Sequence, residues 1–263
     1  MEYLSGACNT KHVIVTGAAQ GIGYFFAEEL LAKGYVVTVL DLEPERLAPL
    51  AEKFENLLAL QCDVRNAQQI KTAVQKAIST FGPPVCAVHN ACLCPFGPVE
   101  GMPETRFRDA YEVNTLGALR LSKAVLPYMK EQRGGRIIFT SSGVGVTGFA
   151  DISPYASSKG AIESLAKCLA IEYADWGITF HLFHPPLTHT ASSAPLPVPK
   201  EMMANPEAVG KGLARHMGDQ SFVICHSFSQ RLQTGLCYHF PLAMGRMMSR
   251  MTARYQKTQQ TGG

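Results

Sequence analysis

Tyr155 and Lys159 stand four residues apart, so on one helix their side chains share a face. An ammonium beside a phenol stabilises the phenolate and lowers its pKa from about 10 towards working pH, which would let Tyr155 trade a proton with a hydroxyl or carbonyl group. Ser142 follows a β-branched apolar run and can join the pair from the carboxyl edge of a parallel sheet, where ligands of open α/β sheets bind. A Tyr-x-x-x-Lys pair alone is common on surface helices, so the reading needs a second feature.

That feature is Thr16-Gly17-Ala18-Ala19-Gln20-Gly21-Ile22-Gly23, which lies between a predicted strand and a predicted helix. Glycines there permit a tight turn and let the backbone approach a pyrophosphate, whose charge faces the free N–H groups of the helix N-terminus. Asp41 ends the next predicted strand, close to the spacing at which an acid accepts hydrogen bonds from an adenosine ribose. A 2′-phosphate would meet its negative charge, and no Lys or Arg stands at position 20 or 42 to compensate. The expected cofactor is therefore NAD rather than NADP.

The elements that would position these residues alternate. Strands read at 12–16, 36–40, 57–62, 85–89, 136–140 and 179–183, with helices at about 22–33, 45–54, 67–81, 105–132 and 155–176. The pattern predicts an α/β fold, a Rossmann-type doubly wound parallel sheet with helices on both faces. Gly34, Gly82, Gly134 and Gly177 are placed as helix C-caps. Residues 185–200 hold five prolines and read as a lid or binding loop. A helix near 201–217, a strand near 222–225 and a final helical segment follow. Without an internal linker, residues 1–220 read as one dinucleotide-binding domain with a lid at about 185–204, and 221–263 as a C-terminal extension.

Composition excludes the disordered, collagen-like and coiled-coil classes: 46% of the 263 residues are hydrophobic and 17% charged. Net charge is +3, too small to imply a nucleic-acid partner. No acidic residue follows Asp219, while Arg231, Arg246, Arg250, Arg254 and Lys257 do, so the basic character belongs to the tail. Eight cysteines lack the spacing of a secreted disulfide framework. Residues 1–9 lack a basic start and apolar core, and no run reaches the roughly 18 apolar residues of a spanning helix; the expected location is cytoplasmic. The Cys92/Cys94 pair and the histidines at 181, 184 and 189 match no metal-ligand spacing.

Taken together, these residues resemble the classical short-chain dehydrogenase/reductase family over roughly residues 11–190. The glycine turn, Asp63-Val64, His89-Asn90-Ala91, Asn114, Ser141-Ser142 and Tyr155-Ala156-Ser157-Ser158-Lys159 occur in the family's order. The resemblance implies Tyr155 as general acid/base and Ser142 as the hydroxyl polarising a carbonyl. Lys159 would be both pKa modulator and nicotinamide-ribose ligand, and Asn114 would hold a proton-relay water. Cofactor contacts are implied for Gly17, Gln20, Gly21, Ile22, Gly23, Asp41, Asp63, Val64, Asn90, Ala91, Tyr155, Lys159, Pro185 and Thr190, with Asp63 and Val64 at the adenine and Thr190 at the carboxamide. A homodimer or homotetramer is also implied.

Three features depart from the family pattern. His89 and Cys92 replace an Asn and a Gly, Pro186 replaces a Gly, and the C-terminus lacks a Gly-rich ending. His184-Pro185-Pro186 with Thr190 is locally similar to the 3-ketosphinganine reductases, from which Asp41 departs because those enzymes use NADPH. The expected activity is NAD(H)-dependent interconversion of an alcohol and a ketone or aldehyde. Leu196, Val198, Met202 and Met203 of the lid, with Phe149, suggest an apolar substrate of lipid, steroid or retinoid type. The alternatives are an NADPH-dependent 3-ketosphinganine-type reductase and a non-catalytic dinucleotide-binding scaffold or redox sensor. In the tail, Phe240, Met244, Met247, Met248 and Met251 recur at helical spacing among the cations. That helix either packs on its own domain or a neighbouring subunit, or lies at a lipid surface.

Overall fold

A computed structural model describes residues 11–261 of the chain; the expectations for residues 1–9 lie outside them. Seven strands, β1 (His12–Thr16), β2 (Val36–Asp41), β3 (Leu57–Gln61), β4 (Cys86–His89), β5 (Gly135–Thr140), β6 (Ile178–Phe183) and β7 (Val223–Ile224), form one sheet in the order β3-β2-β1-β4-β5-β6-β7. Every pairing is parallel. β-Branched and apolar runs form these strands because both faces of the sheet are covered. Successive side chains point to opposite faces, so Ile14 and Leu40 enter one core while Val13, Val15, Val37 and Val39 enter the other.

The first core is covered by α3 (Ala67–Phe81), α5 (Gly117–Glu131) and α7 (Ser153–Glu172), through residues such as Ile70, Val74, Leu121, Val125 and Ile162. The second lies under α1 (Gly21–Ala32), α2 (Ala48–Lys53) and α8 (Pro206–His216), where Phe26, Leu30, Val209 and Leu213 meet. The remaining helices are α4 (Glu104–Ala110), α6 (Val144–Thr147), α9 (Phe228–His239) and α10 (Pro241–Thr261). From β1 the chain proceeds to β2 on one side and later to β4 on the other. The reversal opens a crevice at the carboxyl ends of β1 and β4.

Several boundaries differ from expectation for local reasons. The single helix expected over 105–132 is α4, a π-helical turn at Tyr111–Leu116, and α5. Gly34, Gly82 and Gly177 do take positive φ after their helices, but at the fourth site Arg133 (φ 49°) adopts the left-handed conformation instead of Gly134. The helix expected from 201 begins at Pro206, where Asn205 accepts a hydrogen bond from the Glu207 N–H and the proline's missing donor costs nothing. α6 carries no apolar period and was not expected. The final segment is two helices, broken at Phe240–Pro241. Among the described residues no helix is long and apolar enough to cross a membrane, and the seven cysteines described are free thiols.

Candidate active site

A cavity of about 690 Å³ occupies the crevice and extends from the ends of β2 and β3 past β5 to α9 and α10. At one end stands the glycine turn. Gly17 has φ +68°, and a Cβ there would meet the Ala91 backbone N at 2.6 Å, so only glycine lets β1 and β4 approach here. Gly21 is also left-handed, at φ +62°, while a Cβ on Gly23 would meet the Gly17 carbonyl oxygen at 2.5 Å. The N-cap residue Gln20 makes no side-chain cap and no acid occupies the first turn of α1. Its first N–H groups are thus available to an anion.

Asp41 faces this turn: its carboxylate accepts from the Ala19 N–H at 2.8 Å and the Glu43 N–H at 3.2 Å. Asn90 ties the turn to the sheet, its amide donating to the Gly17 carbonyl at 2.6 Å and accepting from Thr140 Oγ1 at 3.2 Å. Asp63 is bound by Arg65 at 2.7 Å, and that hydrogen bond holds its carboxyl below the usual carboxylate range. The uncapped helix end, the glycine cradle and the carboxylate fit a dinucleotide.

At the centre, Lys159 and Tyr155 project from α7. Lys159 is buried, donates to the Thr140 carbonyl at 2.7 Å and lies 5.6 Å from the centroid of the Tyr155 ring. Burial pushes the lysine down, as a buried cation requires. Tyr155 departs from the expected lowering: burial pushes its phenol well above its ordinary value, Cys92 and Cys94 push the same way, and only the hydrogen bond from Ser142 opposes them. Desolvation of the phenolate is the largest of these effects and favours the protonated phenol.

Most of the expected residues line the one cavity: Gly17, Gln20, Gly21, Ile22, Asp41, Asp63, Val64, Asn90, Ala91, Ser142, Tyr155, Lys159, Pro185 and Thr190. Gly23 and Asn114 do not. Gly23 packs against the turn, and Asn114 is fully buried in the π-helical turn. The Asn114 amide accepts from the Leu93 N–H at 2.8 Å and donates to the Leu93 carbonyl and to Ser158 Oγ, both at 2.9 Å. It fastens the loop carrying Cys92 and Cys94 to α7. Phe149, Leu196 and Val198 line the cavity as expected, whereas Met202 and Met203 do not. His89 is fully buried, bonded to Thr16 Oγ1 at 2.9 Å and donating to the Val113 carbonyl at 3.0 Å. Burial pushes it down to about 3, so it is a neutral brace.

Behind the catalytic candidates lies a cluster that sequence reasoning missed. Glu163, one turn beyond Lys159 on α7, accepts from Ser141 Oγ at 2.7 Å, His184 Nε2 at 2.7 Å and the Tyr238 hydroxyl at 2.5 Å. Burial pushes the carboxyl up, but the bonds and charge of His184, with Tyr238 and Ser141, hold it below its usual range. Ser141 is thus committed to Glu163, leaving Ser142 for the cavity. A polar residue on the sheetward face of α7 and one at the end of β6 were the signals available. Their pairing required the fold. No group of residues suited to a metal ion occurs among the described residues.

The comparisons with known proteins agree with this architecture. Residues 11–199 match the short chain dehydrogenase family. The chain is 36% identical over 183 residues to the uncharacterized oxidoreductase YusZ of Bacillus subtilis, covering 67% of this chain and 65% of that protein. It is 32% identical to the L-fucose dehydrogenase of Oryctolagus cuniculus over 66% of this chain and 62% of that one. The (S)-acetoin-forming diacetyl reductase of Staphylococcus aureus is 34% identical, over 77% and 81%. The match therefore spans less than two thirds of the first two relatives. A short-chain dehydrogenase from Streptomyces avermitilis superposes with a TM-score of 0.77 over 97% of this chain and 100% of its own, at 22% identity, a likeness of fold. With that fold, the glycine turn and the Ser142, Tyr155 and Lys159 constellation in one crevice, this chain belongs to the short-chain dehydrogenase family.

Proposed function

We propose that the protein is an NAD(H)-dependent oxidoreductase that interconverts a hydrophobic alcohol and the corresponding ketone or aldehyde. The observation that carries this reading is that Tyr155, hydrogen-bonded to Ser142 and with Lys159 5.6 Å from its ring centroid, lines the same cavity as the glycine cradle. The names of the relatives, a fucose dehydrogenase and a diacetyl reductase, support oxidation or reduction at a CH–OH centre. Phe149, Ile152, Leu196, Val198 and Met248 on the cavity wall support an apolar substrate.

A nicotinamide dinucleotide held by the glycine turn would supply the hydride acceptor or donor. In the oxidative direction Ser142 would hold the substrate hydroxyl, and Tyr155 Oη, once its own proton has passed to solvent, would remove the hydroxyl proton. Lys159, anchored on the Thr140 carbonyl and 5.6 Å from the Tyr155 ring centroid, sets the tyrosine's field and would hold the nicotinamide ribose. As the carbonyl forms, the Ser142 hydroxyl donates to its oxygen. In the reductive direction Tyr155 returns the proton, a role suited to a phenol that burial keeps protonated. Asn114 acts by holding the 91–94 loop against α7.

NAD is favoured because Asp41 and Glu43 both line the ribose end. Arg46 reaches Gln20 at 3.2 Å but is paired with Glu43 at 2.8 Å. Asp63, Val64 and Thr190 line the same cavity and would complete the cofactor contacts. Titration with NADH and NADPH, followed by a reduction screen over sugar, steroid, retinoid and long-chain alcohols, tests the reading. NADH should bind more tightly, and Asp41→Ala should narrow the gap. Tighter NADPH binding by the unmodified chain overturns the cofactor assignment, and turnover of sugars alone overturns the substrate class.

A further inference from the structure

The methionine period of the tail suggested one amphipathic stripe, but the fold divides it differently. Met248 and Thr252 of α10 turn inward to line the cavity, with Gln230, Thr234 and Cys237 of α9 beside them. Gly245 brings α10 onto α6, where a Cβ would meet the Gly148 and Thr147 carbonyl oxygens at 2.6 and 2.7 Å. Ser249 Oγ accepts from the Ala150 N–H at 3.0 Å. The two helices therefore form one wall of the cavity, and packing on the parent domain claims their inner faces.

Large apolar side chains stay exposed on the outer faces of both helices. On α9, Phe228, Leu232 and Leu236 repeat every four residues along one exposed line, with Phe228 84% exposed. Past the break, Leu242, Met247 and Met251 of α10 are also exposed, Leu242 at 68%, and helical geometry sets Arg246 and Arg250 between Leu242 and the two methionines. Exposed Arg231, Arg246 and Arg250 stand among these residues. No carboxylate follows Asp219 in the chain. Exposed apolar side chains concentrated on one surface and rimmed by polar residues mark a contact surface. Self-pairing about a twofold axis would set this patch against itself and oppose arginines with no carboxylate of the segment between them.

We propose that the outer faces of α9 and α10 dock on an anionic lipid surface, the apolar line entering the headgroup boundary and the arginines engaging lipid phosphates and carboxylates. This deepens the proposed function, because the wall that touches lipid on one side faces the substrate cavity on the other, so a bilayer-dissolved alcohol would lie next to the site that accepts it. The docking itself requires neither substrate nor cofactor.

The test is co-sedimentation of the full chain, without substrate or cofactor, with vesicles of equal parts phosphatidylserine and phosphatidylcholine, and with phosphatidylcholine alone. Binding should appear on the anionic vesicles at low salt and be released at high salt, since exposed charges are screened. The double variant Leu232→Asp/Leu236→Asp should abolish binding while keeping wild-type circular dichroism and turnover of a water-soluble alcohol. Each of Arg246→Gln and Arg250→Gln should weaken it about fivefold. Absence of binding at low salt, equal binding to both vesicle types, or binding unchanged in the double variant overturns the proposal. A double variant that falls from an oligomer to a monomer, in a chain that ignores vesicles, also overturns it and assigns the face to a second copy. Inactivity toward every alcohol, with vesicle binding intact, would sink the dehydrogenase reading and leave the docking standing.

Discussion

The two ends of the cavity are built by different means. The cofactor end is made largely of backbone: two left-handed glycines, an uncapped helix N-terminus and one carboxylate, all supplied by residues 16–41. The proposed substrate end is made of side chains drawn from the ends of β5 and β6, from α7, and from α9 and α10. A backbone cradle is specified by a short run of residue types, because only glycine tolerates the required φ and approach. A side-chain site needs distant elements held in register, and Glu163 marks where they are held: it joins β5, β6, α7 and α9 through three donors.

The comparison breaks most sharply at Tyr155. Tyr155→Phe should lower kcat by about 10²–10⁴-fold while NADH affinity, read by fluorescence titration, stays near wild type. If turnover survives, proton transfer is not by this phenol. Glu163→Gln should act on the substrate end alone. Weakening its charge-assisted bonds should cost about 1–3 kcal/mol of stability and lower kcat more than it changes the KM for NADH; Tyr238→Phe, which leaves two donors, should cost less on both measures. A Glu163→Gln chain with an unchanged urea midpoint would show that the cluster does not fasten the C-terminal helices.

Gly17→Ala probes the opposite end. The left-handed conformation alone costs a non-glycine residue about 1–2 kcal/mol, and the clash with the Ala91 backbone should push β1 from β4. NADH affinity should fall by about tenfold or more, on the scale of 1.4 kcal/mol per factor of ten, with substrate KM at saturating cofactor little altered. A smaller effect belongs to His89. Its folded pKa of about 3 lies below the unfolded value of 6.5, so the unfolded chain binds more protons between those values. Its stability contribution is full above pH 6.5 and is lost as pH falls towards 3; one unit below 6.5 the loss is about 1.4 kcal/mol. Buried His12 and His181, also pushed down by desolvation, act in the same direction. His89→Asn should flatten the drop in urea midpoint on acidification, and an identical drop in the variant would contradict the neutral-brace role.

What the sequence by itself determined is what depends on local residue type. Alternating β-branched runs and helical periods specified a parallel doubly wound sheet, since a strand buried on both faces has few other compositions. The glycine turn, Asp41 and the Tyr155/Lys159 spacing located both ends of the cavity, because each is set within a few residues of chain. Tertiary structure decided the rest. Glu163 and Tyr238 are 75 residues apart, and no periodicity couples them; they meet because β5 and β6 are neighbours and α9 lies across their ends. Met248 turns inward and Met247 outward although both belong to one apolar period, because α6 offers a surface to only one side of α10. The protonation preference of Tyr155 was likewise a matter of burial: spacing placed an ammonium beside the phenol, but the depth of the pocket set the cost of a phenolate, and that depth exists only once the chain has closed around it.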